Sequence, residues 1–193
     1  MTFHQVIGLL AVLIGGAGTL HYYWGIFKRQ IKPHMLTWMI WALTTWIVGI
    51  AQYFDGGGVG SYVTLLSGAV ATCTACLSLK FGDRDIKRSD WISFLLALLA
   101  ILLWMVTNNA LTAVLLVTAI DLFGFYPSFR KGYVKPWDEG AFLFGAISIK
   151  FLLTFFALEN ITLITGLYPM ALFVINAVFV GMLMVRRRIV TKA

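Results

Sequence analysis

The sequence predicts an all-helical membrane protein with seven transmembrane helices, and three observations carry that expectation. Of its 193 residues 60% are hydrophobic and only 12% charged, with a mean hydropathy of +0.87, far from the composition of a water-soluble domain. The apolar residues fall in runs of the length a bilayer demands, about 20 residues per crossing. Between the runs, Lys and Arg collect in alternate connections, as in a chain threaded back and forth across a membrane.

Cutting the chain where charges, Gly and Pro cluster gives the spans in order. The first, Gln5 to Phe27, holds Gly15, Gly16 and Gly18, residues that permit close helix packing or bending, with Gly18 a candidate hinge. It has no basic segment ahead of it and no small-residue cleavage site, so it is expected to be a retained span and not a signal peptide. The second runs from Leu36 to Phe54 and closes on Asp55; the third, Gly60 to Leu79, carries Thr64, Ser67, Thr74 and Ser78 at helical spacing. That polar stripe suits either a hydrophilic path or close helix packing. Cys73 and Cys76 lie in the same span without a second cysteine pair or a His cluster, so they are expected to be small packing residues and not a metal or redox centre.

The fourth span, Trp91 to Val106, is almost entirely Leu, Ala, Ile and Trp and suits a lipid-facing linker. The fifth, Ala110 to Ser128, contains Asp121 and, near its end, Pro127, a second candidate hinge; the sixth, Gly140 to Leu158, contains Lys150. The seventh, Thr165 to Val185, contains Pro169 and Asn176.

Orientation follows from the basic residues. Fourteen of the fifteen Lys and Arg fall in the first-to-second, third-to-fourth and fifth-to-sixth connections and the C-terminal tail, while the opposite connections show only Asp55 and Glu159. Positively charged loops stay in the cytoplasm during insertion, so the expected topology is N-out and C-in, in a cell (plasma or inner) membrane. The same rule accounts for the net charge of +7, and no nucleic-acid partner is expected.

Comparing the chain with itself reveals a repeat. At an offset of 103, Tyr23 falls on Tyr126, Lys28 on Lys131, and Lys32-Pro33 on Lys135-Pro136; Asp55 and Glu159 match at an offset of 104. A three-span unit followed directly by its copy would invert it, and one extra crossing restores the orientation. The expected architecture is therefore 3+1+3: a first three-helix bundle in 1–80, a linker helix in 81–108, and a second, parallel bundle with a basic tail in 109–193.

The run Tyr126-Pro127-Ser128-Phe129-Arg130-Lys131, followed by Lys135, resembles the PQ-loop signature, with Ser128 where that signature has Gln and Trp24 at the matching proline position of the first copy. The chain thus resembles the SWEET and PQ-loop carriers, which share their plan with PnuC vitamin-precursor and cystinosin-type carriers. The resemblance implies a facilitative or proton-coupled carrier for a small polar solute, bound between the bundles and released by rocking them. It also implies a polar residue on the third helix of each bundle; Asn176 fits, whereas the first copy offers Thr72, Cys73 or Thr74 there.

Independently of that resemblance, intramembrane polar groups mark a candidate site. A charge at bilayer centre costs at least about 2.5 kcal/mol, so Asp121 and Lys150 are retained for partners or for function. Both lie at similar depth on adjacent spans, which makes an ion pair an expectation: Asp121 to carry a proton or meet a cation, Lys150 to neutralise it or bind an anion. His21, Thr74, Ser78 and Asn176 complete the polar candidates. Trp38, Trp91 and Trp137 are expected at the membrane interface, while Trp41 and Trp46 lie deep enough to meet solute.

A solute carrier is the favoured class, a seven-helix receptor or sensor the alternative, and an intramembrane enzyme third. No nucleophile-base pair, H-E-x-x-H or Gly-Asp protease signature is present. Neither cofactor nor metal is expected, and the sequence leaves open proton coupling and a homo-oligomer.

Overall fold

The computed structural model describes residues 1–82, 88–107 and 109–191. Seven α-helices follow one another: α1 (Phe3–Phe27), α2 (Met35–Phe54), α3 (Gly58–Phe81), α4 (Arg88–Thr107), α5 (Ala110–Val134), α6 (Ala141–Ala157) and α7 (Leu163–Ile189), with a 3-10 turn at Pro136–Asp138 before α6. There is no strand among the described residues. Helices α1, α2, α3, α5 and α7 are long and apolar enough to cross a membrane; α6 is apolar but has only 17 residues. The basic residues Arg84, Lys87 and Lys192, counted above for orientation, lie outside the described residues.

Helix starts follow from local chemistry. The first backbone N–H groups of a helix have no internal acceptor, and side chains supply one. Thr2 accepts from Gln5 N and Thr162 from Thr165 N, each closed into a capping box by the side chain three positions on; Asn109 and His34 cap α5 and α2. Between α2 and α3, Gly56 and Gly58 take φ of 75° and 53°, the left-handed region that favours glycine, which lets the chain reverse within a few residues.

One boundary differs from expectation. Helix α5 runs past Ser128 to Val134, because Lys131 in its last turn interacts favourably with the helix's negative end and nothing in that stretch breaks the hydrogen-bond ladder. The backbone is helical through position 127, while the side chain of Pro127 lies outside the described residues.

Helix α3 packs against both α1 and α2, and α7 against both α5 and α6. Across these groups α1 packs on α6 and α2 on α5, with further contact between α3 and α6 and between α2 and α7; α4 rests on α5 and α2. The most enclosed of the five long apolar helices is α2, with 67% of its apolar window buried against 22% for α1. Outward faces carry large apolar side chains such as Leu9, Leu13 and Leu20 on α1 and Val174, Val178 and Val185 on α7. Faces this extensive are not sustained in water and suit contact with lipid.

Glycines set the closest approaches. A Cβ on Gly18 would stand 2.6 Å from Ala146 Cβ, so α1 and α6 touch there backbone to side chain, and α1 continues through Gly18 as an unbroken helix. The geometry gives Gly18 the role of a contact point. Gly18→Val is expected to destabilise the protein by about 1–3 kcal/mol or more through overpacking, read as a lower thermal midpoint in detergent. An unchanged midpoint would mean that the α1–α6 contact is looser than described.

Candidate functional site

A cavity of about 160 Å³ opens where the two groups of helices meet. Its wall takes residues from six helices, among them Gly16 of α1, Trp41 of α2, Ser67 of α3, Phe125 of α5, Lys150 of α6 and Asn176 of α7. Gly16 has no heavy atom within 4 Å of where its Cβ would be, so α1 contributes open space there.

Lys150 is the charged residue of this wall. Its Nζ donates to Ser67 Oγ at 3.0 Å and stands 4.1 Å from the centre of the Phe151 ring. The aliphatic stem lies against Gly15, whose missing side chain leaves it room: a Cβ there would come within 2.6 Å of Lys150 Cδ. Of the expected stripe on α3, Ser67 is the member that reaches the cavity. Thr74 donates to the Val70 carbonyl and meets the Tyr23 hydroxyl at 3.0 Å, and Ser78 donates to the Ala75 carbonyl, so both serve packing within and beside α3.

Asp121 is fully buried one step behind the wall. The Tyr168 hydroxyl donates to Asp121 Oδ2 at 2.7 Å, and Thr45 Oγ1 meets the same hydroxyl at 3.0 Å; Thr45 and Tyr168 both border the cavity. The other carboxyl oxygen, Oδ1, has no hydrogen-bond partner among the described residues. The expected ion pair is therefore corrected: among the described residues Asp121 and Lys150 hydrogen-bond different neighbours, Tyr168 and Ser67, and no ion pair joins them. Equal depth does not fix rotation about the helix axis. Asp121 turns toward α7, Lys150 toward α3.

Asn176 is buried, donates to the Leu172 carbonyl at 2.7 Å, and its Oδ1 has no hydrogen-bond partner among the described residues. Trp41 borders the cavity, while its Nε1, also without a hydrogen-bond partner among the described residues, lies beside Gly124 of α5. Trp38 is a second correction. It was expected at the interface but is only 7% exposed, bonded through Nε1 to the Tyr22 hydroxyl and stacked edge-on with Trp41, because α2 is central. Trp91, half exposed, suits the interface.

Trp46 and His21 turn away from the cavity. Trp46 bonds Thr72 on the outer side of α3, and His21 is exposed, edge-on to Phe142. Cys73 and Cys76 are free and exposed, so they do not mediate the close helix packing expected of them.

The helices are joined by different chemistry toward the two ends of the bundle. At the Asp55 end, Thr162 donates to Asp55 Oδ2, Asn160 Nδ2 to the Asp55 carbonyl at 3.2 Å, and Glu159 N to the Gly57 carbonyl, tying the α2–α3 connection to the α6–α7 connection. Toward the other end the contacts are aromatic: Phe125, Phe144 and Phe179 are in mutual ring contact, and Trp41 meets Phe125 and Phe144. A third feature at the basic end lies within α5–α7: Arg186 and Arg187 donate to the carbonyls of Tyr133, Pro136 and Glu139.

Sequence reasoning missed Gln52. Pro169 sits inside α7 and has no N–H, so the carbonyl of Thr165, four residues earlier, loses its helical donor. The fully buried Gln52 Nε2 supplies one at 2.7 Å, joining α2 to α7. The legible signal was a lone Gln in an apolar span together with a proline in the body of another. Gln52→Ala is expected to cost about 1–3 kcal/mol by orphaning that carbonyl. In a Pro169→Ala background, where residue 169 regains its N–H, the cost should shrink, and equal costs in the two backgrounds would count against the pairing. Thermal unfolding of the four variants in detergent gives the cycle.

No family model, characterised protein or solved structure matches the chain.

Proposed function

We propose that the protein is a multi-pass membrane carrier that binds a small solute in the cavity between α1–α3 and α5–α7 and exposes it alternately to the two sides. The observation that carries this reading is the composition of the wall: both helix groups contribute, and a lysine, an asparagine and a hydroxyl chain to a buried aspartate converge on it at mid-helix. Groups so costly to bury in an apolar bundle are kept for partners or for function.

The 3+1+3 plan belongs to the same proposal, with seven crossings and α4 as the linker. Its support is an exchange relation. Replacing α1, α2 and α3 by α5, α6 and α7, and the reverse, turns each contact of the bundle into another that also occurs: α1–α6 into α5–α2, α3–α6 into α7–α2, α1–α3 into α5–α7, and α2–α3 into α6–α7. That is the behaviour of two like units around one axis. The basic connections support a cytoplasmic C-terminus, which puts the hydrogen bonds around Asp55 on the outer face. Residues 126–131, with their resemblance to PQ-loop carriers, support the same plan.

Proteoliposomes test the reading. Vesicles carrying the protein and preloaded in turn with sugars, amino acids, nucleosides and organic acids should show saturable counterflow of at least one class above protein-free vesicles. No exchange of any class by folded, reconstituted protein would remove the carrier reading.

A further inference from the structure

We infer that the solute is a small organic monoanion, a carboxylate on an apolar body about the size of one ring, with Lys150 as its anion-binding group. The inference rests on the carrier reading and specifies what the same cavity takes.

Lys150 Nζ is the first observation. Its neighbours are a serine hydroxyl and the face of a phenyl ring, both neutral, and no carboxylate among the described residues pairs with it. The one buried carboxylate nearby in depth, Asp121, is engaged by Tyr168. An ammonium in an apolar bundle with neutral partners leaves its charge uncompensated, and a carboxylate entering the cavity would compensate it. Ser67 Oγ accepts from the ammonium and donates its own proton to the Val63 carbonyl at 2.7 Å, so it positions Lys150 and leaves the ammonium's remaining N–H groups to meet the carboxylate.

The rest of the wall sets the body of the solute. Trp38, Trp41, Phe125, Phe144 and Phe151 present rings, and Gly16 and Ala71 keep space open between them. Thr19, which also borders the cavity, spends its hydroxyl on the Gly15 carbonyl of its own helix. A sugar, with a hydroxyl on nearly every carbon, would surrender its hydration here for few partners, whereas a flat apolar body loses little. Size agrees: an engineered apolar cavity of about 150 Å³ in another protein accepts benzene, and this one measures about 160 Å³.

Benzoate is the binding probe, with benzamide as its uncharged isostere and benzylamine as its cationic counterpart. Titrated into the full-length protein in nanodiscs and followed by tryptophan fluorescence, benzoate should bind at least about tenfold tighter than either analogue. Lys150→Gln should remove that preference, and Lys150→Arg should keep most of it. Benzamide binding as tightly as benzoate, no benzoate binding, or an intact preference in folded Lys150→Gln would each overturn the inference. The wild-type comparison stands even if a Lys150 variant fails to fold. Exchange of benzenesulfonate, which stays charged and does not leak through lipid, separates this inference from the reading beneath it. Counterflow of neutral solutes by a protein that ignores benzoate would leave the carrier and remove the anion. Benzoate preference without exchange of any solute would leave the anion site and remove the carrier.

Discussion

Gly16→Phe is expected to abolish solute exchange while leaving the protein folded. Position 16 is the one place on α1 where the wall is open backbone, with nothing within 4 Å of a would-be Cβ, and the cavity it faces measures about 160 Å³. A benzyl group occupies most of such a space, so counterflow should drop to the level of protein-free vesicles. Filling a void tends to raise stability, so the thermal midpoint should hold or rise by a few degrees. Its neighbours make natural controls. Gly15 and Gly18 stand against Lys150 and Ala146, and a side chain there should unfold before it blocks. Full exchange by a folded Gly16→Phe protein would show that solute does not pass through this cavity.

Asp121→Asn is expected to abolish the stimulation of uptake by a proton gradient and to leave counterflow within about twofold of wild type. The substitution keeps an acceptor for the Tyr168 hydroxyl, so the Thr45–Tyr168 link to the cavity survives while the exchangeable carboxyl proton is lost. Asp121→Ala removes the acceptor as well and should cost about 1–3 kcal/mol of stability by stranding a buried hydroxyl. The two variants separate a proton-carrying carboxylate from a structural one. Equal loss of both activities in Asp121→Asn would assign Asp121 to packing alone.

Much of the fold was legible because membrane helices announce themselves. Thr2, Asn109 and Thr162 each stand at a helix start, as polar caps ahead of apolar runs should, and the runs themselves predict the helices to within a few residues at most ends. The end of α5 was misplaced because Pro127 and the charges after it look like a stop, although a helix can carry its basic residues in a last turn beyond the apolar stretch. Rotation was harder. Depth can be counted along one helix, but which neighbour a side chain meets depends on how the helices turn against each other. The candidates Lys150, Trp41 and Asn176 border one cavity, whereas Asp121, at equal depth, sits behind Tyr168.

The remaining candidates show the same limit. Thr74 and Ser78 share the spacing of Ser67 yet bond within the bundle, and only Ser67 faces Lys150. Trp38 has the sequence position of an interface anchor but belongs to the most enclosed of the long apolar helices. Gln52 escaped notice because its reason lies on another helix, at a carbonyl that Pro169 leaves without a donor. A polar residue in an apolar span is best weighed together with every proline elsewhere in the bundle, since each proline creates an acceptor in search of a partner.

Thiol labelling at Ala71, a small buried residue of the cavity wall on α3, tests alternating exposure most directly. With Cys73 and Cys76 replaced by serine, Ala71→Cys should react with a membrane-impermeant maleimide both in right-side-out and in inside-out vesicles, and a transported solute should slow both reactions. Labelling from one face only, or from neither, in protein that still exchanges solute would contradict a cavity that opens in turn to the two sides of the membrane.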